Sequence, residues 1–220
     1  MRILILFIGL LCFNFSARSQ SSLISDSLLL ETCRSLANNA HSSDTEKIDA
    51  AFNLHLFPVL KGLNDSLISV TLKYIDIRLQ KLCPEFKKYL DELNPPKDDW
   101  TPVQVRPESK MDKNSAREFL LHKRYYYFDQ DMDTVNLSLS HSYWVDHFKN
   151  GTYSKLLFKW TGNTTFEISF VESNNEIRKN LSKPGERYIY ELIEKFPDYY
   201  LVYLHMPELK VFGTFRIYYD

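Results

Sequence analysis

From Glu118 to the C-terminus apolar residues recur at every second position, and this period of two constrains the fold more than any other feature. Val135, Leu137 and Leu139 alternate with Asn136 and Ser138; Phe166, Ile168 and Phe170 alternate with Glu167 and Ser169. Leu156, Phe158 and Trp160 alternate with Leu157 and Lys159. Successive side chains of a strand point to opposite faces, so each run reads as a half-buried strand. Turn chemistry separates the runs at Asn150-Gly151, Thr161-Gly162-Asn163, Pro184-Gly185, Pro197-Asp198 and Pro207-Glu208. Asn-Gly between alternating runs is a strong hairpin signal. The spacing predicts seven or eight strands, near 119–128, 134–140, 142–149, 152–160, 164–172, 187–196, 199–206 and 209–219. With helical crossovers absent, the pairing must be antiparallel, a meander. Strands of this length and number curl into a barrel or half-barrel, or split into two packed sheets.

The residues before this region follow a helical period. Ser43-Asp44-Thr45-Glu46 is a capping box ahead of Ile48, Phe52 and Leu56. Asn64-Asp65-Ser66 caps a longer helix whose Ile68, Leu72, Ile75, Leu79 and Leu82 form one stripe. Pro84 suits the first position of another helix, and an earlier one carries Leu29, Cys33, Leu36 and Ala37. Between the two grammars, Pro95, Pro96, Pro102 and Pro107 prevent helix continuation, and Trp100 is the only large apolar anchor, expected to dock on a neighbouring domain. The layout is thus a signal peptide at 1–19, a helical module at 20–93, a Pro-rich linker at 94–117 and an antiparallel β domain at 118–220. The fold class is α+β, a small helical bundle followed by an antiparallel meander.

Met1-Arg2, the apolar run Ile3 to Phe13 and the small residues Ala17 and Ser19 form a signal-peptide layout. Eleven apolar residues rise only about 16 Å as a helix, too little for a permanent span. Cleavage before Gln20 removes Cys12 and leaves an even pair, Cys33 and Cys83. In an oxidising compartment such a pair reads as one disulfide stapling two helices, worth roughly 4 kcal/mol by chain entropy. The expectation is an exported protein, periplasmic or secreted, with no stable membrane span. The balance of 27 Lys+Arg against 28 Asp+Glu, with no basic block, argues against nucleic acid as a partner.

Catalytic signatures are absent, and no catalytic residue, metal ligand or cofactor is assigned. Asp129, Asp131 and Asp133 open like a calcium loop, but Thr134 and Ser140 stand where the turn glycine and the bidentate Glu are required. They offer at most a weak divalent-ion loop. His141, Asp146 and His147 support an alternative, a hydrolase with a His-containing cleft. The dominant feature is aromatic: 23 of the 29 aromatics that would follow the signal lie in residues 118–220. Tyr188, Tyr190, Tyr199 and Tyr203 are the expected ligand-facing set, lining a concave face or barrel mouth for a small molecule, glycan or protein. The function expected is a non-enzymatic binding module, with a structural envelope protein as a further alternative.

Cys83-Pro84-Glu85-Phe86, with Phe148 through Tyr153, Lys159-Trp160, Glu172-Ser173-Asn174 and Tyr199-Tyr200, resembles small, uncharacterised exported proteins of Gram-negative bacteria. The resemblance implies export and the two-part layout; it brings no activity with it.

Overall fold

The computed structural model of the protein describes residues 23–38, 43–95, 97, 99–206 and 211–220. The expected signal segment and the Pro207-Glu208 turn lie outside them. Five helices come first: α1 (Asp26–Asn38), α2 (Asp44–His55), α3 (Phe57–Leu60), α4 (Asp65–Leu82) and α5 (Pro84–Leu93). The capping box forms as the sequence demands: Ser43 accepts the Glu46 N–H, and the Glu46 carboxylate accepts the Ser43 N–H at 3.2 Å. Asn64 caps α4 by accepting from Leu67. Their apolar stripes meet in one core of Leu29, Leu36, Leu56, Ile75, Leu79 and Phe86, beside the bonded pair Cys33 and Cys83, whose Cα atoms are 5.4 Å apart. Among the described residues no helix is long and apolar enough to cross a membrane.

The second half is a closed barrel of eight antiparallel strands: β2 (Tyr125–Phe128), β3 (Thr134–Leu139), β4 (Tyr143–His147), β5 (Tyr153–Trp160), β6 (Thr165–Ser173), β7 (Arg187–Lys195), β8 (Tyr199–Met206) and β9 (Val211–Tyr219). Each strand pairs with the next, and β9 returns to β2 through Tyr125↔Tyr219 and Tyr126↔Tyr218. Two expectations are corrected. Residues 119–124 do not extend the first strand, because a short helix α6 (Lys113–Glu118) and a turn precede it. A helix does connect two strands: α7 (Glu176–Leu181) lies between β6 and β7, capped by Asn175, which accepts from Ile177 and Arg178. Its neighbours remain antiparallel, so the meander order is unchanged.

Side chains fill the barrel. Leu137, Trp144, Phe158, Phe166, Tyr190, Leu192, Val202 and Ile217 pack inward, consistent with an eight-stranded barrel whose interior is just wide enough for its own residues. Phe119 leaves the turn after α6 and closes one end, fully buried against Tyr125, Trp160, Phe166 and Tyr200.

The Pro-rich segment is laid along this barrel. A two-residue strand, β1 (Thr101–Pro102), takes the part of the β9 edge that β2 leaves unpaired. Trp100 stacks on Phe215 and covers Gly213, where any side chain would collide with the indole. Farther on, Lys110 donates its backbone N–H to Ile193 at 2.7 Å and Arg106 pairs with Glu191. Thr214, Tyr203 and Glu191 stand in one cross-strand row on the outer wall yet are only 6–8% exposed, because the segment covers them.

The helical module meets the end of the barrel that carries α7. Arg78, 1% exposed, donates to Asp26 of α1, to the Leu181 carbonyl at 2.5 Å and to Glu186. Lys81 completes the joint by pairing with Glu186 and donating to the Tyr188 hydroxyl at 2.7 Å.

Candidate functional site

Strand parity decides which aromatics a partner can reach. In β7 the even positions face inward, so Tyr188 and Tyr190 belong to the interior. Tyr190 packs in a three-ring cluster with Trp144, 5.7 Å away, and Phe166, 5.3 Å away and nearly parallel. Burial pushes its hydroxyl pKa far above the ordinary range, and the charges of Tyr188 and Asp146 add to that. Tyr203 faces outward but lies beneath the Pro-rich segment. Of the four expected ligand-facing tyrosines, Tyr199 alone reaches solvent on the outer wall without that cover.

Tyr199 belongs to a larger arrangement. It stands opposite Tyr218, which stands opposite Tyr126, so three strands place three tyrosines in one outward row. Tyr126 and Tyr218 stack at 5.1 Å with 14° between planes. Phe128 meets both edge-on, at 5.9 and 5.5 Å. At the other end Phe196 stacks on Tyr199 at 4.5 Å, and the Arg216 guanidinium lies 5.2 Å from the Tyr199 ring centre. Asp99 receives hydrogen bonds from Arg216 at 3.1 Å and from the Tyr218 hydroxyl at 2.8 Å. Five half-buried rings, Phe196, Tyr199, Tyr218, Tyr126 and Phe128, thus form a ladder across β8, β9 and β2. Its signal in the sequence was the parity of Tyr126, Tyr199 and Tyr218, opposite to that of the interior residues beside them.

The other candidates are dispersed. Asp129 accepts backbone N–H bonds from Asp131 at 3.1 Å and Asp133 at 3.0 Å, closing its own turn around Met132, whose φ is +62°. Asp133 pairs with Lys149 instead of turning toward the other two. His141 is exposed in a turn, and His147 meets the Ser138 hydroxyl at 3.1 Å on an exposed convex wall. Asp146, one residue away, necessarily points inward, where it accepts from the Trp144 indole at 2.8 Å. Burial raises its pKa, against the opposing pull of Arg178, Trp144 and Tyr127. These three residues therefore share no cleft.

Two constellations carry no local motif. Ser35 and His55 join α1 to α2 through a 2.6 Å hydrogen bond. Near the barrel's closed end, the His122 ring meets the Tyr200 hydroxyl at 3.0 Å and lies 3.8 Å from the Tyr219 ring; burial lowers its pKa, and the Lys195 charge adds to this. Among the described residues, the one group whose ligand atoms converge closely enough for a metal is Cys33, Cys83 and Glu85. The chain matches no protein-family profile, no curated protein and no solved structure.

Proposed function

We propose that the chain is an exported, non-enzymatic binding protein, that its contact surface is the ladder of Phe196, Tyr199, Tyr218, Tyr126 and Phe128, and that its partner is a protein. The observation that carries this reading is the outward cross-strand row Tyr199–Tyr218–Tyr126, in a barrel whose interior is already filled. Tyr, Phe and Arg are enriched at protein interfaces, where an apolar body and a polar tip can both be satisfied. Ring orientation separates partner classes. Tyr126 and Tyr218 each turn a face to the other, Phe196 covers a face of Tyr199, and the Tyr218 hydroxyl is already bonded to Asp99. A glycan would stack on an open ring face, whereas a protein interface uses edges and hydroxyls. Export rests on the N-terminal sequence pattern together with a cysteine pair placed to bond.

A photo-crosslinking residue at Tyr126, in cells of the native host, tests this. It is expected to give an adduct of discrete mass that the same residue at Leu157, exposed on another wall, does not give. Tyr218→Ala should weaken the captured complex by about 2 kcal/mol, near thirtyfold in Kd. Equal adducts at both positions, or none at Tyr126, would overturn the proposal.

A further inference from the structure

Cys33, Cys83 and Glu85 converge where α1 passes the junction of α4 and α5. One Glu85 carboxylate oxygen lies 3.3 Å from the Cys33 sulfur and 3.7 Å from the Cys83 sulfur. In the bonded pair neither sulfur carries a proton for that oxygen to accept, so hydrogen bonding does not account for the approach. Van der Waals contact does, and the same separations also suit a metal ion. A tetrahedral zinc ion with Zn–S near 2.3 Å and Zn–O near 2.1 Å sets each S···O separation at about 3.6 Å and the S···S separation at about 3.8 Å. The carboxylate already stands at both S···O separations, so only the sulfurs need to part, by side-chain rotation.

We propose that the reduced chain holds a divalent metal ion, zinc by its thiolate chemistry, on Cys33, Cys83 and Glu85, and that the ion replaces the disulfide as the staple between α1 and α4. A dithiol reductant delivers two electrons and two protons to the S–S bond and is itself oxidised to a disulfide. The two thiols then release those two protons as the ion binds. Cys83 occupies the N-cap position of the ten-residue α5, where the helix dipole favours a thiolate. Glu85 is exposed while both sulfurs are buried, so the ion enters from the carboxylate side and solvent supplies the fourth ligand. The site lies in the helical module and shares no residue with the aromatic ladder of the barrel.

The test uses the full chain, reduced and freed of reductant under exclusion of oxygen, then titrated with cobalt(II). One cobalt per chain, a sulfur-to-cobalt charge-transfer absorption and retained helical circular dichroism are expected. Zinc should displace the cobalt. Glu85→Gln should weaken binding at least about tenfold, the loss typical even of groups that only support a metal ligand. Cys33→Ser with Cys83→Ser should abolish the absorption. Glu85 is exposed, so its variant is expected to keep the oxidised fold, which circular dichroism checks. A reduced chain without the charge-transfer band, one that unfolds with cobalt present, or a Glu85→Gln variant of unchanged affinity would each overturn the assignment.

Discussion

Phe119→Ala tests whether the barrel is a filled core or a container. Phe119 is fully buried although it lies in a turn rather than a strand, and its ring meets Tyr200 at 5.1 Å, Tyr125 and Phe166 at 5.6 Å, and Trp160 at 6.4 Å. Burying a Phe side chain is worth roughly 2–3 kcal/mol by transfer alone. The ring pairs and the cavity left behind raise the loss on truncation to about 4 kcal/mol. That is a large share of the roughly 5–15 kcal/mol that holds a domain folded. Urea unfolding followed by tryptophan fluorescence reads it directly, because Trp144 and Trp160 lie in the same core. With a slope of about 2–3 kcal/mol/M, the midpoint should fall by roughly 1.3–2 M at unchanged slope. Benzene should then raise the midpoint of the variant but not of the wild type, since only the variant has an apolar void to fill. Leu121→Ala, at a position 75% exposed two residues later, is the control. A loss below about 1 kcal/mol, or a wild-type barrel that takes up benzene equally well, would refute the reasoning.

Two further changes probe how the remaining segments are held. Gly213→Ala drives a methyl group into the Trp100 indole and should cost about 1–3 kcal/mol; in a Trp100→Ala background the same change should cost little, and additive losses would rule the collision out. Burial alone would raise the Asp26 carboxyl, but hydrogen bonds and charges from Arg78 and Lys183 outweigh it and hold the pKa at about 2, below the ordinary 3.8. A depressed acid contributes stability that is fully present above 3.8 and disappears as pH falls through about 2; allowing for partial exposure, this amounts to roughly 1–2 kcal/mol. Asp26→Asn should therefore flatten the melting temperature between pH 4 and pH 2, whereas a parallel decline in both proteins would count against the assignment.

Local periodicity carried most of the fold. The alternations in β3, β5 and β6 and the capping box of α2 are short-range patterns, and the structure contains them within a residue or two. Barrel closure was not legible, because Tyr126↔Tyr218 joins the first barrel strand to the last and no local pattern encodes that register. The helices α6 and α7 have six residues each, too few for a 3.6-residue period to declare itself. The segment around Pro102 and Pro107 reads as a linker because its partners, Glu191, Ile193 and Gly213, lie more than eighty residues further along the chain. Joint action of Asp146 and His147, by contrast, was already excluded by parity, since adjacent residues of a strand face opposite sides.

The ligand-facing aromatics were the hardest part to read, and β8 shows why. Its even positions are Tyr200, Val202, Leu204 and Met206; its odd positions are Tyr199, Leu201, Tyr203 and His205. Both faces are largely apolar, so the strand carries no polar marker of its outer side. The structure supplies two separate reasons for the outward apolar residues. Tyr203 is covered by the Pro-rich segment, and Tyr199 continues a ring row from β2 through β9. Aromatic abundance alone is therefore no measure of binding capacity in a barrel of this width: most of the rings replace the ligand that a wider lumen would hold. The rings that remain open to a partner are those whose parity turns them outward and whose neighbours leave them uncovered. That condition moves the search for a partner from the mouth of the barrel to its outer wall.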